Sequence, residues 1–300
     1  GAAGAGEYVK LAKSIDLGGS DSPWTPISPF SGNLDGDFHT ISGMYVTGDS
    51  FGYGFIDFLE SGTEIKNLKF DAPIINAQST TPEALAGILS SYAMPGSNIE
   101  NIFVASPNIS GRISTSGFLI GMTENAPTKL SMSNIHIVDG QMDTLNDGIP
   151  FAPTVNNHYY AGLVGDGPFD AHRAFVSGSI EALTDAVLGG AMGRNRTADS
   201  QLSQLVTDVE FNNTHASDPD YVGGILGFRS GGDVQASDVL VLGSGNSFTS
   251  GRTGGYAGLH YWFDDATRPQ KAVVIGDYDS LSGRTSEAPI DGGGIPGDPT

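Results

Sequence analysis

A six-residue pattern, clearest as Ile99-Glu100-Asn101-Ile102-Phe103-Val104, recurs along most of the chain and limits what that chain can fold into. The same order (apolar, polar, Asn or another polar residue, apolar, any, apolar) occurs as Ile65-Lys66-Asn67-Leu68-Lys69-Phe70 and Met132-Ser133-Asn134-Ile135-His136-Ile137. Looser copies have their third positions at Arg173, Asp208, Asp238 and Lys271, so successive intervals are 34, 33, 39, 35, 30 and 33 residues. Ile41-Ser42-Gly43-Met44-Tyr45-Val46 fits as an earlier copy with Gly43 in the Asn slot. A second mark, glycine followed by small apolar residues, precedes each of the seven copies from Asn67 onward: Gly54, Gly87, Gly117, Gly162, Gly190, Gly224 and Gly258. Two marks travelling together at a fixed period of this size define stacked repeats.

Within a copy, the first and third residues after the Asn slot are apolar, as in Leu68 and Phe70, Ile102 and Val104, or Val209 and Phe211. The residue between them varies freely. That is period two, a strand with one committed inner face. The alternation breaks at the third position, which predicts a bend there. Asn tolerates left-handed φ, and stacked Asn side chains bond along the stack. The glycine mark supplies further short strands. The expected fold is all-β, a right-handed parallel β-helix of about eight rungs spaced ~4.8 Å apart.

Residues 1–50 read as an N-terminal cap block and first rung, with Tyr8, Trp24 and Phe30 covering the end of the stack. Here Asp35-Gly36 predicts a positive-φ turn, and His39 is read as a turn residue. Residues 51–279 carry the repeats, and 280–300 form a Pro/Gly-rich linker or tail. Thr81 followed by Pro82 predicts one helical turn. Insertions are expected at residues 139–160 and 195–204, where loops on such a scaffold carry binding.

Composition narrows the partners. With 34 Asp and Glu against 14 Lys and Arg, the net charge is −20, which excludes the basic face that nucleic acid requires and disfavours anionic lipid. Charge of that size keeps a chain soluble and monomeric. The chain has no cysteine, which excludes disulfides and thiolate metal sites. No apolar run reaches the ~18 residues of a membrane span. Residues 1–6 (GAAGAG) lack the apolar core of a signal peptide, so the sequence reads as an excised piece of a larger, multidomain chain.

Little chemistry stands out. Six histidines show no HExxH and no paired ligand spacing. Asp139, Asp143 and Asp147 are the calcium candidates, with Asp35 and Asp37, Asp218 and Asp220, and Asp264 and Asp265 as weaker pairs, although none follows a calcium-loop pattern. Tyr256, Tyr261 and Trp262, with Tyr159 and Tyr160 at the end of the first insertion, are the candidate ligand-binding aromatics. If the chain were an enzyme, Asp264, Asp265 and Arg268 would be its catalytic groups, since β-helices also host sugar hydrolases and lyases working with paired carboxylates.

The series YVKLAKSIDL, WTPI and FSGNLDGDFHTISGMYV, followed by GLVG at 162 and GILG at 224, resembles bacterial surface proteins with GLUG-motif repeats. These include filamentous-haemagglutinin-like adhesins and the non-catalytic β-helical part of some IgA-specific metallopeptidases. The resemblance runs from about Tyr8 to Asp277. It weakens at Gly117 and Gly258, and at Arg173 and Lys271, where Asn is commoner. It implies a secreted or cell-surface module that is not an enzyme, acting as adhesin or stalk toward a host or surface glycan or a protein. Loops 139–160 and 256–268 are the expected contact sites. The alternative is a carbohydrate-active enzyme.

Overall fold

The computed structural model describes residues 6–81, 83–144, 158–182, 186–213, 221–243, 247–248, 252–254, 257–260 and 270–276. They wind as a parallel β-helix in which each strand pairs with its counterparts one turn before and one turn after. One turn runs through Asn98–Ala105, Asn108–Arg112, Thr115–Gly117 and Ile120–Thr123. The first two strands belong to a long sheet of 15 strands, and the other two belong to separate sheets of seven. The short sheets thus make six turns from first strand to last among the described residues, slightly fewer than the eight rungs expected.

The inward pairs behave as the alternation requires. Leu68 and Phe70, Ile102 and Val104, and Ile135 and Ile137 are all buried in one continuous core. Burial of a side chain of that size stabilises by roughly 1.5–3 kcal/mol. The polar position between the strand halves is a left-handed bend, with φ of 54°, 55° and 55° at Asn67, Asn101 and Asn134. Their side chains form a ladder. Nδ2 of Asn134 donates to Oδ1 of Asn101, and Nδ2 of Asn101 to Oδ1 of Asn67, each at 2.8 Å.

Three placements differ from the sequence reading. The bend of the fifth repeat falls at Gln204 (φ 54°), between Arg173 (55°) and Asp238 (54°), and not at Asp208. Because Ser200–Asn213 is one strand of 14 residues, alternation continues on both sides of the bend and offers two matching registers. Gly43 (φ 63°) does not occupy the Asn slot. Strand pairing aligns it with Ala72, Ser106 and Asp139 (φ 44°, 46° and 54°), which form a second left-handed corner one strand later. Asp139 therefore sits within the strand Leu130–Asp143, at the corner where its pairing register shifts, and does not open a loop.

Local expectations at the N-terminal end also shift. Positive φ falls on Asp37 and Phe38, while Gly36 is required because a side chain there would collide with the Asn67 carbonyl oxygen. His39 does lie in that turn, its N–H donating to Gly36 O at 2.8 Å. Trp24 stacks on Phe55 at 5.2 Å and Phe30 is buried, whereas Tyr8 is exposed and reaches Asp35 with its hydroxyl. Thr81 is a bend that leads into the strand Leu85–Ala86, not a helix N-cap; Pro82 lies outside the described residues. The interval 195–204 holds no long loop, because Asn195 closes the strand Met192–Asn195 and the next strand begins at Ser200.

The two short sheets meet where the glycine marks lie. A methyl group on Gly190 would overlap the carbonyl oxygen of Gly224, the mark of the next turn, so the approach itself demands glycine.

Candidate functional site

The residue that follows the second glycine of a mark faces away from the core. Strand pairing puts Phe58, Tyr92, Met122, Asp166, Arg194 and Phe228 in one row across six consecutive strands of a short sheet. None of these belongs to the hydrophobic core. Phe58 and Tyr92 stack at 5.3 Å with an interplanar angle of 5°.

Asp166 is the centre of the row. Its side chain is only 2% exposed and accepts from two guanidinium groups. Arg194 grips it with Nε to Oδ1 at 2.8 Å and Nη2 to Oδ2 at 2.5 Å. Arg196 adds Nε to both oxygens at 3.1 Å and a close contact from Nη2 to Oδ2. A carboxylate this buried needs such partners, because desolvation otherwise outweighs its charge. Arg194 also donates from Nη1 to the Tyr159 hydroxyl at 2.8 Å, and its guanidinium carbon lies 4.0 Å from the Tyr159 ring centroid. Burial works to lower the Arg194 pKa, but hydrogen bonding and charge from Asp166 outweigh it and the value is raised.

Arg196 reaches further along the row, with Nη2 at 3.7 Å from Sδ of Met122. Tyr92 is the next residue of the row beyond Met122. Burial pushes the Tyr92 hydroxyl pKa up, Glu124 and Asp166 push it the same way, and Arg196 opposes them. Beside this group opens a depression of about 430 Å³ lined by Asn125, Pro127, Lys129, Thr197 and Asp199. Asn125 ties its two walls together, donating to Thr197 Oγ1 and accepting from the Ala198 N–H at 3.0 Å. Lys129 pairs with Asp170 at 2.7 Å.

A second row runs along the outer face of the long sheet: Lys69, Phe103, His136, Phe175, Val206, Leu240 and Val273 are in register on successive strands. His136 meets Phe103 and Phe175 edge-on, with centroids at 5.3 and 5.0 Å. Val273 is 53% exposed. Rungs ~4.8 Å apart make the apolar part, from Phe103 to Val273, roughly 24 Å long.

The residues marked from sequence fall elsewhere. Tyr160 is buried and donates its hydroxyl to Ile113 O at 2.6 Å, and burial raises its pKa, so it packs the core and offers no ring to a ligand. Tyr159 is covered by Arg194. Asp139 is a corner residue whose N–H donates to Ser177 Oγ at 3.1 Å, and Asp143 ends the same strand. Asp147, Tyr256, Tyr261, Trp262, Asp264, Asp265 and Arg268 lie outside the described residues, as do Asp218 and Asp220. Among the described residues no three His, Asp or Glu side chains gather as a metal site, and Asp35 and Asp37 are engaged by Asn67, Tyr8 and Lys10. The Asp166 cluster escaped sequence reading, yet a signal existed. Asp166 follows Gly165 of one mark and Arg194 follows Gly193 of the next, which places opposite charges on adjacent rungs.

No protein family model matches this sequence, and no curated protein matches it. A solved structure that does match is a crystal structure of a Bacteroides ovatus protein proposed to be an immunoglobulin A1 protease. The two share 16% identity at a TM-score of 0.47, over 95% of this chain and 75% of that one.

Proposed function

We propose that this chain is a non-catalytic binding and presentation module of the adhesin or stalk type, secreted or held at a bacterial cell surface. The observation that carries the reading is the outer row of the long sheet from Phe103 to Val273. Apolar side chains aligned on a rigid, solvent-facing sheet are an interaction surface, because scattered exposure needs no explanation and a contiguous stripe does. The stack beneath holds the stripe straight, so little ordering entropy is lost when a long ligand lies along it. The acidic charge of the chain keeps such modules apart and soluble. The resemblance of the N-terminal block and the glycine marks to GLUG-repeat surface proteins supports the same role. The ligand is a host or surface glycan, or a protein.

A glycan array run beside a reducing-sugar assay on the same polysaccharides tests it. Binding without new reducing ends is the expected result. Turnover would replace this reading with that of a carbohydrate-active enzyme. Silence in both assays, together with no retention by a panel of surface proteins, would reduce the chain to a spacer.

A further inference from the structure

We infer that Tyr92, Glu124 and Arg196 form a subsite for a neutral saccharide, floored by Met122 and continuing into the depression between Asn125 and Thr197. The inference rests on the binding-module reading and gives it a specific place on a different face from the long-sheet row.

The geometry begins with Met122. Tyr92 lies beside it in strand register, and Glu124, the first residue past the end of the strand Ile120–Thr123, is near enough for its charge to act on the Tyr92 hydroxyl. Arg196 comes from two rungs away and brings Nη2 to 3.7 Å from the Met122 sulfur. Thioether carbon and sulfur make a soft, apolar floor. The three polar groups surround it, each only partly buried.

What these groups leave unused indicates the ligand. Arg196 spends Nε and Nη2 on Asp166 and Met122, which leaves both N–H bonds of Nη1 without an acceptor among the described residues. Neither the Glu124 carboxylate nor the Tyr92 hydroxyl has a hydrogen-bond partner among the described residues. The site therefore offers a donor that cannot accept, an acceptor that cannot donate, and a hydroxyl that does both. Adjacent hydroxyls on a sugar ring match that set: one donates to Glu124, and its neighbour accepts from Arg196. A ligand with only donors or only acceptors leaves one partner unsatisfied, at the cost of a buried polar group.

Charge narrows the class. Arg194 and Arg196 are balanced by Asp166 and Glu124, and Lys129 with Asp170 and Asp199 at the depression leaves one net negative charge, while the whole chain carries −20. An acidic sugar would meet repulsion from Glu124 and from the overall field. A neutral one meets neither. Asn125 directly follows Glu124, and Thr197 directly follows Arg196, so the depression of about 430 Å³ extends the subsite along the chain direction of an oligosaccharide.

The test uses the full chain, an array of neutral and carboxylated oligosaccharides, and the variants Glu124→Gln, Arg196→Gln and Tyr92→Phe, with thermal melting as a control for folding. Losing a hydrogen bond to a charged group weakens binding roughly tenfold or more, so the Glu124 and Arg196 variants should each fall by at least that factor on neutral probes. Tyr92→Phe keeps the ring against Phe58 and should fall by less. If the parent binds and the three variants bind equally well, the subsite is overturned and the binding-module reading stands. A preference for carboxylated over neutral probes overturns the ligand class. A parent that retains no oligosaccharide at all overturns both the subsite and glycan recognition by this module.

Discussion

The side-chain amide of Asn67 donates to Oδ1 of Asp35 across 3.0 Å, and so ends in a carboxylate the column of amides that descends from Asn134 through Asn101. Asp35 also accepts from the Asp37 N–H at 2.9 Å and the Tyr8 hydroxyl at 2.7 Å. These donors, Asn67 foremost, favour its charged form and lower its pKa from 3.8 to about 2.

A folded-state pKa below the unfolded value gives stability that is complete above the unfolded pKa and is lost as pH falls through the folded one. The contribution of Asp35 is thus full above about pH 4 and disappears between there and about pH 2. Asp35→Asn keeps an acceptor for Asn67 but cannot titrate. Melting curves from pH 5 to pH 2 should fall more steeply for the parent than for this variant; parallel curves would show that the ladder terminus does not contribute.

The two faces of the long sheet should respond oppositely to the same substitution. Val241 is 1% exposed, and Asp in its place buries an unpaired charge, a loss of roughly 4 kcal/mol or more. Val273, on the next rung and the other face, should tolerate Asp within about 0.5 kcal/mol. Chemical denaturation of both variants measures the difference, and equal midpoints would refute the inward assignment of Val241.

Asp166 and its arginines are unequal partners. Asp166→Ala leaves two guanidinium groups without their carboxylate and should cost about 3–5 kcal/mol. Arg196→Gln leaves the pairing of Asp166 with Arg194 in place and should cost no more than about 1 kcal/mol, since Arg196 is the more exposed arginine. Urea titrations at low and high salt should show the Asp166 effect nearly unchanged by salt, because a buried pair is poorly screened. A salt-sensitive loss of equal size in both variants would contradict this hierarchy.

The outer row can be disconnected from folding. Phe103→Ser and Phe175→Ser together remove two half-buried rings from the solvent side while leaving Ile102, Val104, Ala174 and Val176 in the core. Retention of whichever ligand the parent binds through this face should drop about tenfold or more. Surface plasmon resonance reads the loss, and unchanged affinity alongside an unchanged melting temperature would remove the row from the binding surface.

Much of the fold was legible because one residue type in each repeat served one purpose. Leu68, Ile102 and Ile135 are apolar since each faces the same core, and Asn67, Asn101 and Asn134 both bend and bond along the stack. The reading failed where position outweighs identity. Gln204 and Arg173 adopt left-handed φ with no intrinsic preference for it, because strand pairing on both sides fixes the bend. Asp208, more turn-like by type, stays in a strand. The candidate site was harder still. Tyr92, Glu124 and Arg196 are separated by whole repeats, and each is unremarkable alone; only the register of the short sheet brings them to Met122. Tyr159 and Tyr160 misled because aromatics beside an insertion look available, whereas both lie in a strand under cover.

The amide column also has a polarity. Asn134, Asn101 and Asn67 each pass an N–H downward, and Asn101 and Asn67 each receive one from above, which is how a growing fibre hands its bonding pattern to the next subunit. A carboxylate has nothing to pass on. Asp35 therefore acts as a chain terminator: the amide relay stops at its carboxylate, and the strand Tyr8–Lys10 that pairs over it continues the sheet by backbone hydrogen bonds alone.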